Sequence, residues 1–427
     1  MSERWSREQV LGLAPDAASH KAAGAVAKPA KWSGLGASDG AVWGECQGSG
    51  SSAYRCAVEL AEPAFRCTCP SRKFPCKHAL ALLLLWSEGL VADGDPPAWA
   101  AEWLAQREAR AQAPRPVSAP KSADPRTRER REQRVGDGLE EFGRWLRDQV
   151  SQGLVQAESA PYSLWDDAAR RLVDAQAGTL AGQVKSLAAI PRGTGSSRWI
   201  DRLLEEYALL HLLTQAYAKQ AALPPALRET VRARIGFSTS QDEVLTGPAV
   251  RDQWYVIGIR DTEQDMLTTR RVWLRGHTTG RSALVLSFAA PGRSLDTTLV
   301  PGTTVDASLA FFPGAQPLRA LIATRHEAPA QLPPPSTTIG AFQAEYAAAL
   351  GHDPWLDRWP ALLADVRLSR DGRIVDPSGA ALPLHATEPW RLLAVSGGGP
   401  ITIGGEWTPQ GLRALSGWHP TEGVVIP

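Results

Sequence analysis

Four residues of metal-binding type occur within twelve consecutive positions of the chain. They have the order C-x-C, six residues, C-x-H, and they are Cys67, Cys69, Cys76 and His78. Zn²⁺ prefers four tetrahedral nitrogen and sulfur ligands, and a complete Cys₃His set leaves no coordination position for water or a substrate. The cluster therefore predicts a structural zinc site, with Zn²⁺ as the cofactor, and not a catalytic metal.

The ligands lie between a predicted third strand and an apolar helix. Cys67 and Cys69 are two positions apart at the end of that strand, so both thiolates are on one face. Cys76 precedes the helix, His78 lies in its first turn, and residues 79–89 are apolar on nearly all sides. Zinc, strands and helix should form one ββ-metal-α unit whose folding depends on the metal, which contributes about 10–16 kcal/mol in zinc-finger peptides.

A β-hairpin is predicted just before the ligands. Residues 41–47 and 53–60 alternate as strands on either side of a turn rich in Gly and Ser. A turn centred near Gly50 places Cys46 opposite Cys56. We interpret these cysteines as small, half-buried strand residues, because a disulfide beside thiolate ligands is disfavoured in a reducing compartment.

Basic residues surround the ligands, namely Arg66, Arg72, Lys73 and Lys77. Three thiolates on Zn²⁺ leave one net negative charge, so one interpretation is that these cations only neutralise the site and favour the thiolate forms. The other interpretation is a contact surface for nucleic acid or an acidic partner. Residues 107–134, which are rich in Arg and Pro, could extend that surface.

The C-x-C and C-x-H pairs, with a hairpin before them and an apolar helix after them, resemble the SWIM zinc finger over residues 41–90. Residues 43–50 and 172–181 make the whole chain similar to bacterial SWIM zinc finger family proteins. The resemblance implies zinc binding by the same four ligands and a role in DNA binding or protein–protein interaction. It also implies an AAA+ ATPase of the MoxR type and a von Willebrand factor A protein as partners.

Composition places the chain among ordinary globular proteins. Its 427 residues are 43% hydrophobic and 21% charged, with a net charge of +1, which excludes acidic disordered proteins and strongly basic tail proteins. No apolar run reaches the 18 residues of a membrane span. All five cysteines lie between Cys46 and Cys76, and residues 1–14 lack the apolar core of a signal peptide, so we expect a cytoplasmic location.

The alternation of helical and strand patterns predicts an α+β multidomain protein with a zinc finger, a central helical bundle and a small antiparallel β-domain, either a sandwich or an OB-like barrel. Near the end, helices are predicted at residues 339–350 and 355–363, followed by short strands. The predicted divisions are a lead-in (1–40), the SWIM zinc finger domain (41–100), a basic Pro/Arg-rich linker (101–137), a helical domain (138–239), the β-domain (240–330) and a mixed α/β C-terminal region (331–427).

No second set of residues has catalytic spacing. The chain has no H-E-x-x-H pair, no G-x-S-x-G elbow and no G-x-x-x-x-G-K-[ST] loop, and its other histidines are scattered. We therefore predict a non-enzymatic interaction protein. The alternative is an enzyme or enzyme subunit with an unrecognised site in residues 138–427, for which the finger is a docking module.

The predicted β-domain is rich in aromatic residues, with Arg270, Arg271 and Arg275 nearby. Aromatic side chains at alternate strand positions usually fill the interior of a small barrel. The alternative interpretation is a stacking platform for nucleic-acid bases. The residues concerned are Trp254, Tyr255, Trp273, Phe311 and Phe312.

Overall fold

An antiparallel sheet with helices on both faces forms the first part of the chain. The computed structural model describes residues 4–15, 17–38, 40–48, 52–60, 63–71, 73–112, 124–192, 198–264, 267–290, 295–327, 332–385, 390–420 and 423–425. In sheet order, the strands are β1 (Trp32–Ala37), β2 (Ala41–Cys46), β3 (Tyr54–Glu59) and β4 (Ala64–Cys67). Helices α1 (Arg7–Gly12) and α2 (Ala17–Val26) precede the sheet, and α3 (Lys77–Ser87) and α4 (Ala98–Gln112) follow it.

The first 40 residues contain more structure than the single short helix predicted for them. α1 begins with a capping box, in which the Ser6 hydroxyl accepts a hydrogen bond from the Gln9 backbone N–H at 3.2 Å. The edge strand β1 lacks apolar alternation because it lies very close to β2. A Cβ at Gly36 would be 2.7 Å from the indole nitrogen of Trp43. This close approach selects glycine and removes the usual strand signal.

Alternate side chains of the sheet face two different helices, as the pleat of a strand requires. Cys46, Cys56 and Val58 pack against α3, whereas Trp43 and Ala57 pack on the side of α4. The helices α1 and α2 contact α3 as well. α3 is therefore enclosed on all sides, which explains its apolar composition.

The hairpin register differs from the predicted one. Cys46 is opposite Tyr54, whereas Cys56 is opposite Gly44 on one side and Cys67 on the other. The prediction that Cys46 faces Cys56 is therefore wrong, by two residues. A shift of two residues keeps both thiols on the same face of the sheet, and both are free.

A helical bundle follows the N-terminal unit. Its helices are α5 (Pro125–Gln152), α6 (Ser163–Asp174), α7 (Gly178–Ser186), α8 (Trp199–Ala218) and α9 (Pro225–Ile235). Leu139, Phe142 and Leu146 of α5 share one core with Trp165 of α6 and Tyr207 of α8. Their spacing of three and four residues is the helical periodicity that predicts this bundle.

Much of the segment predicted as a basic linker is helical. α4 extends to Gln112, and α5 begins at Pro125, where the Asp124 carboxylate accepts a hydrogen bond from the Arg126 backbone N–H at 3.2 Å. Ala, Glu, Gln and Arg in these stretches are good helix formers, and Pro is favoured at the first helical position. Residues 113–123, the middle of the predicted linker, lie outside the described residues.

The predicted β-domain is a closed barrel of the OB-like type. After the short helix α10 (Gln241–Thr246), its strands are β5 (Ala249–Gln264), β6 (Leu267–Gly276), β7 (Ser282–Ala289), β8 (Thr304–Phe311) and β9 (Arg319–Arg325). They close in the order β5-β6-β7-β9-β8, with β7 and β9 parallel and the other neighbours antiparallel. Of the two architectures predicted, the barrel is the one that forms.

Three of the five aromatic residues of the predicted stacking platform are buried, namely Trp254, Tyr255 and Trp273. Trp254 fills the interior and donates from its indole N–H to the Ala307 carbonyl at 2.9 Å. Tyr255 and Trp273 point outwards but are buried against the C-terminal region. Tertiary packing therefore leaves these three rings no exposed face for base stacking, whereas Phe311 and Phe312 are partly exposed.

A second sheet and two helices form the C-terminal region. Helix α11 (Ile339–His352) confirms the first helix predicted here, and α12 (Trp390–Ser396) is short. The strands are β10 (Trp359–Leu368), β11 (Arg373–Val375), β12 (Ala381–Pro383), β13 (Ile401–Thr408), β14 (Gly411–His419) and β15 (Gly423–Val425), in the order β12-β11-β10-β13-β14-β15.

The second predicted helix, at residues 355–363, is wrong. β10 is a central strand whose two sides are both covered, with Leu363 in the core beside α11 and Leu362 against the barrel. A short apolar run that is buried on both faces cannot be distinguished from a buried helix by periodicity.

The separate units contact one another through specific side chains. Gln9 of α1 donates from its side-chain amide to the Pro301 carbonyl at 2.9 Å, which connects the N-terminal unit to the barrel. The Trp355 indole donates to the Leu209 carbonyl at 2.9 Å and connects the C-terminal region to the bundle. In the described residues, no helix is both long and apolar enough to cross a bilayer.

Candidate metal centre

The four predicted ligands converge at one end of the N-terminal sheet. Cys67 ends β4, Cys69 follows two residues later, Cys76 is the N-cap residue of α3, and His78 is in the first turn of that helix. Their ligand atoms all lie within 4.8 Å of one another, and Sγ of Cys67 is 3.8 Å from Nδ1 of His78. Neighbouring ligands on a tetrahedral zinc ion are about 3.5–3.8 Å apart. The donor types and their spacing therefore fit Zn²⁺, which would act as a structural cross-link.

Aromatic contacts hold the two halves of the ligand set in place. The His78 ring packs against Tyr54 of β3, with the ring centroids 5.1 Å apart. Phe74, in the loop between the two ligand pairs, makes an edge contact with Phe65 of β4, at 5.5 Å between centroids. These contacts place the imidazole and the loop beside the three thiols.

The thiols are too close together to ionise without a cation. The pKa of Cys76 is raised to about 12, first by its hydrogen bond with Cys67 and then by burial. Neighbouring thiolates repel each other, and burial disfavours each charge further. A metal ion among them supplies the compensating charge, so metal binding and thiol ionisation are coupled.

A fifth cysteine, Cys56, touches the ligand set without belonging to it. It is the direct cross-strand neighbour of Cys67 and is fully buried. Burial raises the pKa of Cys56, so this thiol keeps its proton. When Cys67 is a metal-bound thiolate, the protonated thiol of Cys56 can therefore donate a hydrogen bond to it. Sequence reasoning missed this role, because only the register of β3 and β4 reveals it.

Replacement of Cys56 by Ala is expected to weaken zinc binding about 10- to 100-fold, because a hydrogen bond that stabilises a ligand thiolate is lost. Competition with a chromophoric chelator would measure the dissociation constant. Cys56→Ser, which restores a donor of similar size, should recover much of the affinity. Cys46→Ala, which removes a buried thiol outside the ligand set, is the matched control. Equal affinity of wild type and Cys56→Ala would contradict this role.

The predicted basic surface divides between two faces of the finger. Lys73 and Lys77 are exposed beside the ligands and line a cleft of about 700 Å³ together with Lys31. Arg66 points to the opposite face of the sheet, where it donates to the Trp99 carbonyl at 3.3 Å. Arg72 lies outside the described residues.

The cleft is bounded by α2, by the β2–β3 hairpin and by the metal ligands Cys69 and His78. Ala18 and Ala22 of α2 form one wall, and Tyr54 contributes to the wall opposite. In the described part of the chain, no carboxylate lines this cleft. Its ionisable lining is therefore basic apart from the ligand set.

Two of the buried carboxylates outside the finger serve structure. The Asp252 carboxylate accepts hydrogen bonds from the backbone N–H groups of Thr278 and Thr279, at 3.0 and 2.8 Å, and so fixes the turn between β6 and β7. Glu406 is fully buried and accepts from Arg260 at 2.6 Å and from the Trp273 indole at 3.0 Å.

The fold and the site together define a multidomain zinc finger protein with a closed Cys₃His centre. Residues 54–86 match the SWIM zinc finger, and residues 130–235 match the SWIM-associated four-helix bundle domain. The chain thus contains a SWIM zinc finger followed by its associated bundle, which confirms the predicted resemblance, and both modules are of non-catalytic type. Among curated proteins and solved structures, none matches the chain.

Proposed function

We propose that this protein is a non-catalytic interaction protein whose zinc finger presents the basic cleft to an anionic partner. The observation that carries the proposal is the composition of that cleft. Lys31, Lys73 and Lys77 line its volume of about 700 Å³, and no carboxylate is among the described lining residues. A surface of this kind attracts phosphate or carboxylate groups. Zinc would act by fixing the loop and the helix that hold Lys73 and Lys77.

Charge neutralisation of the metal site does not account for the whole cleft. A Cys₃His site with Zn²⁺ carries one net negative charge, because three thiolates face one divalent ion. Three lysines line the cleft, so they outnumber that single negative charge. Arg66 lies on the other face of the sheet and does not line this cleft.

The partner class follows from the cleft's charge and from the resemblance to SWIM proteins. DNA is one candidate, and an acidic protein surface is the other, with a MoxR-type AAA+ ATPase and a von Willebrand factor A protein as the proposed partners. Free cysteines at residues 46 and 56 support a cytoplasmic location, where thiols stay reduced. The enzyme alternative, with a site in residues 138–427, receives no support from Asp252 or Glu406, because both carboxylates are engaged in structural contacts.

The test compares charge reversal on the two faces of the finger in the full-length protein. Lys73→Glu with Lys77→Glu should weaken binding of a labelled DNA duplex about tenfold or more and reduce the salt slope by about two, because two phosphate contacts are lost. Fluorescence anisotropy at several salt concentrations measures both. Arg66→Glu, which makes the same change on the opposite face, is the matched control.

The two partner classes give different results. If DNA does not bind at low salt, but a purified MoxR-type ATPase binds wild type and loses affinity for the cleft variant, the partner is a protein. If the cleft variant binds every probe as wild type does, the cleft is not the contact surface. An Arg66→Glu variant that is more affected than the cleft variant would place the contact on the α4 face instead.

A further inference from the structure

Four arginines meet where the barrel packs against the C-terminal sheet, far along the chain from the finger. Arg260 of β5 and Arg271 of β6 are direct cross-strand neighbours. Arg413 of β14 is the neighbour of Glu406 on β13, and Arg358 immediately precedes β10. We call these residues the seam arginines: Arg260, Arg271, Arg358 and Arg413.

The seam arginines outnumber the carboxylates that face them. Glu406 lies 2.6 Å from Arg260, 3.5 Å from Arg271 and 3.8 Å from Arg358. Asp357 is held by Arg358, at 2.9 and 2.7 Å. Two carboxylates therefore compensate four guanidinium groups, and a surplus of two positive charges is left at a partly buried position.

One of these guanidinium groups also has a donor without an acceptor. The Nε atom of Arg413 is buried and has no hydrogen-bond partner in the described residues, whereas the Nε atom of Arg271 has only the 3.5 Å ion pair with Glu406. For Arg413, the described part of the chain offers no side-chain hydrogen bond or ion pair at all. Buried N–H groups without acceptors are costly, and charged ones more so.

The pKa values of the residues at this position reflect the same surplus of positive charge. Burial, followed by repulsion from Arg260, lowers the pKa of Arg413, although Glu406 acts in the opposite direction. Burial, followed by repulsion from Arg358, lowers the pKa of Arg271, although Glu406 acts in the opposite direction. Nearby, burial and then Arg413 lower the pKa of His385. The site lacks negative charge.

We propose that the seam arginines bind a phosphate group. A phosphate monoester carries a charge of about −1.5 to −2 near neutral pH, which matches the surplus. Guanidinium groups bind phosphate oxygens through paired N–H donors, and Arg is the preferred residue for such contacts. The side chains of Arg260 and Arg358 are 26% and 32% exposed, so the site is open to solvent. This site is independent of the finger and of the proposed function of its cleft.

The phosphate could belong to a free nucleotide or to a nucleic-acid backbone. Both sources present phosphate oxygens to the arginines. They differ in how the binding affinity depends on the length of the ligand and on the salt concentration. A nucleic acid engages further cations along its backbone and binds with a steep salt dependence. A nucleotide binds as one unit.

Arg413→Gln is the decisive variant, because Arg413 makes no side-chain hydrogen bond or ion pair in the described part of the protein and lies only beside Glu406, so its loss should leave the fold intact. Wild-type protein titrated with pyrophosphate at constant ionic strength should show saturable heat and a raised unfolding temperature. Arg413→Gln should weaken this binding about tenfold or more, because a charge-assisted contact is lost. Zinc content and circular dichroism would confirm that the variant is folded.

Arg270→Gln, on β6 next to Arg271, is the matched control. Arg270 is fully engaged by Asp261, at 2.9 and 2.7 Å, so its replacement should leave pyrophosphate affinity unchanged. Titrations with AMP and with a single-stranded oligonucleotide then identify the source of the phosphate. Whichever of the two binds should lose affinity in Arg413→Gln. The proposal is overturned if pyrophosphate has no effect beyond that of chloride, or if Arg413→Gln binds as tightly as wild type.

Discussion

Replacement of Cys76 by Ser is expected to release zinc and to unfold the N-terminal sheet and helix around the site. Cys76 is both a ligand and the N-cap residue of α3. Ser is a favourable N-cap residue, so the variant keeps the cap and loses only the thiolate. Structural zinc contributes about 10–16 kcal/mol in zinc-finger peptides, which is comparable to the whole stability of a domain. The loss should therefore be close to complete for this unit.

Zinc stoichiometry by mass spectrometry and hydrogen exchange would measure the outcome. We expect less than one zinc per chain, with protection lost over residues 54–87 and kept in the bundle, since Leu139 and Trp165 belong to a different core. Cys46→Ser makes the same chemical change at a buried thiol of the same sheet and should retain its zinc. A Cys76→Ser protein with full zinc occupancy, or with an unchanged exchange pattern after zinc loss, would show that the site is not needed for folding.

The second large effect is expected at Glu406, the buried carboxylate between the barrel and the C-terminal sheet. Glu406→Gln should destabilise the protein by about 3–5 kcal/mol, because breaking a buried ion pair leaves the remaining charges uncompensated. The residue is fully buried and faces Arg260, Arg271 and Arg358, so its removal leaves three guanidinium groups with little negative charge nearby. Denaturant unfolding followed by tryptophan fluorescence would report the change, since Trp273 donates to this carboxylate.

An exposed ion pair provides the comparison for Glu406. Glu140→Gln removes a carboxylate that is 74% exposed and pairs with Arg144 one helical turn away, and its cost should be below about 0.5 kcal/mol. Pyrophosphate should stabilise Glu406→Gln more than it stabilises wild type, because the surplus of positive charge is larger. Equal stability of the two glutamine variants would show that Glu406 is not the main counter-charge of this interface.

The predicted and observed structures agree where the spacing of nearby residues determines the structure. They differ where tertiary packing between distant segments determines it. The ligand set and the bundle periodicity around Leu139 were readable from spacing alone. The strand β10 could not be predicted in this way, because a strand covered on both faces has the same apolar run as a buried helix. The strand β1 could not be predicted either, because the contact with Trp43 selects glycine at position 36 and the strand therefore lacks alternating apolar and polar residues.

The sequence by itself determined the zinc ligands, since Cys67, Cys69, Cys76 and His78 are close along the chain and their donor chemistry is a property of the residues. Only the tertiary structure decided which basic residues share a surface, because Arg66 and Lys77 are separated by the sheet, not by distance in sequence. It also placed Cys56 beside Cys67. Such contacts depend on strand register and on packing between distant segments, and these depend on the whole chain.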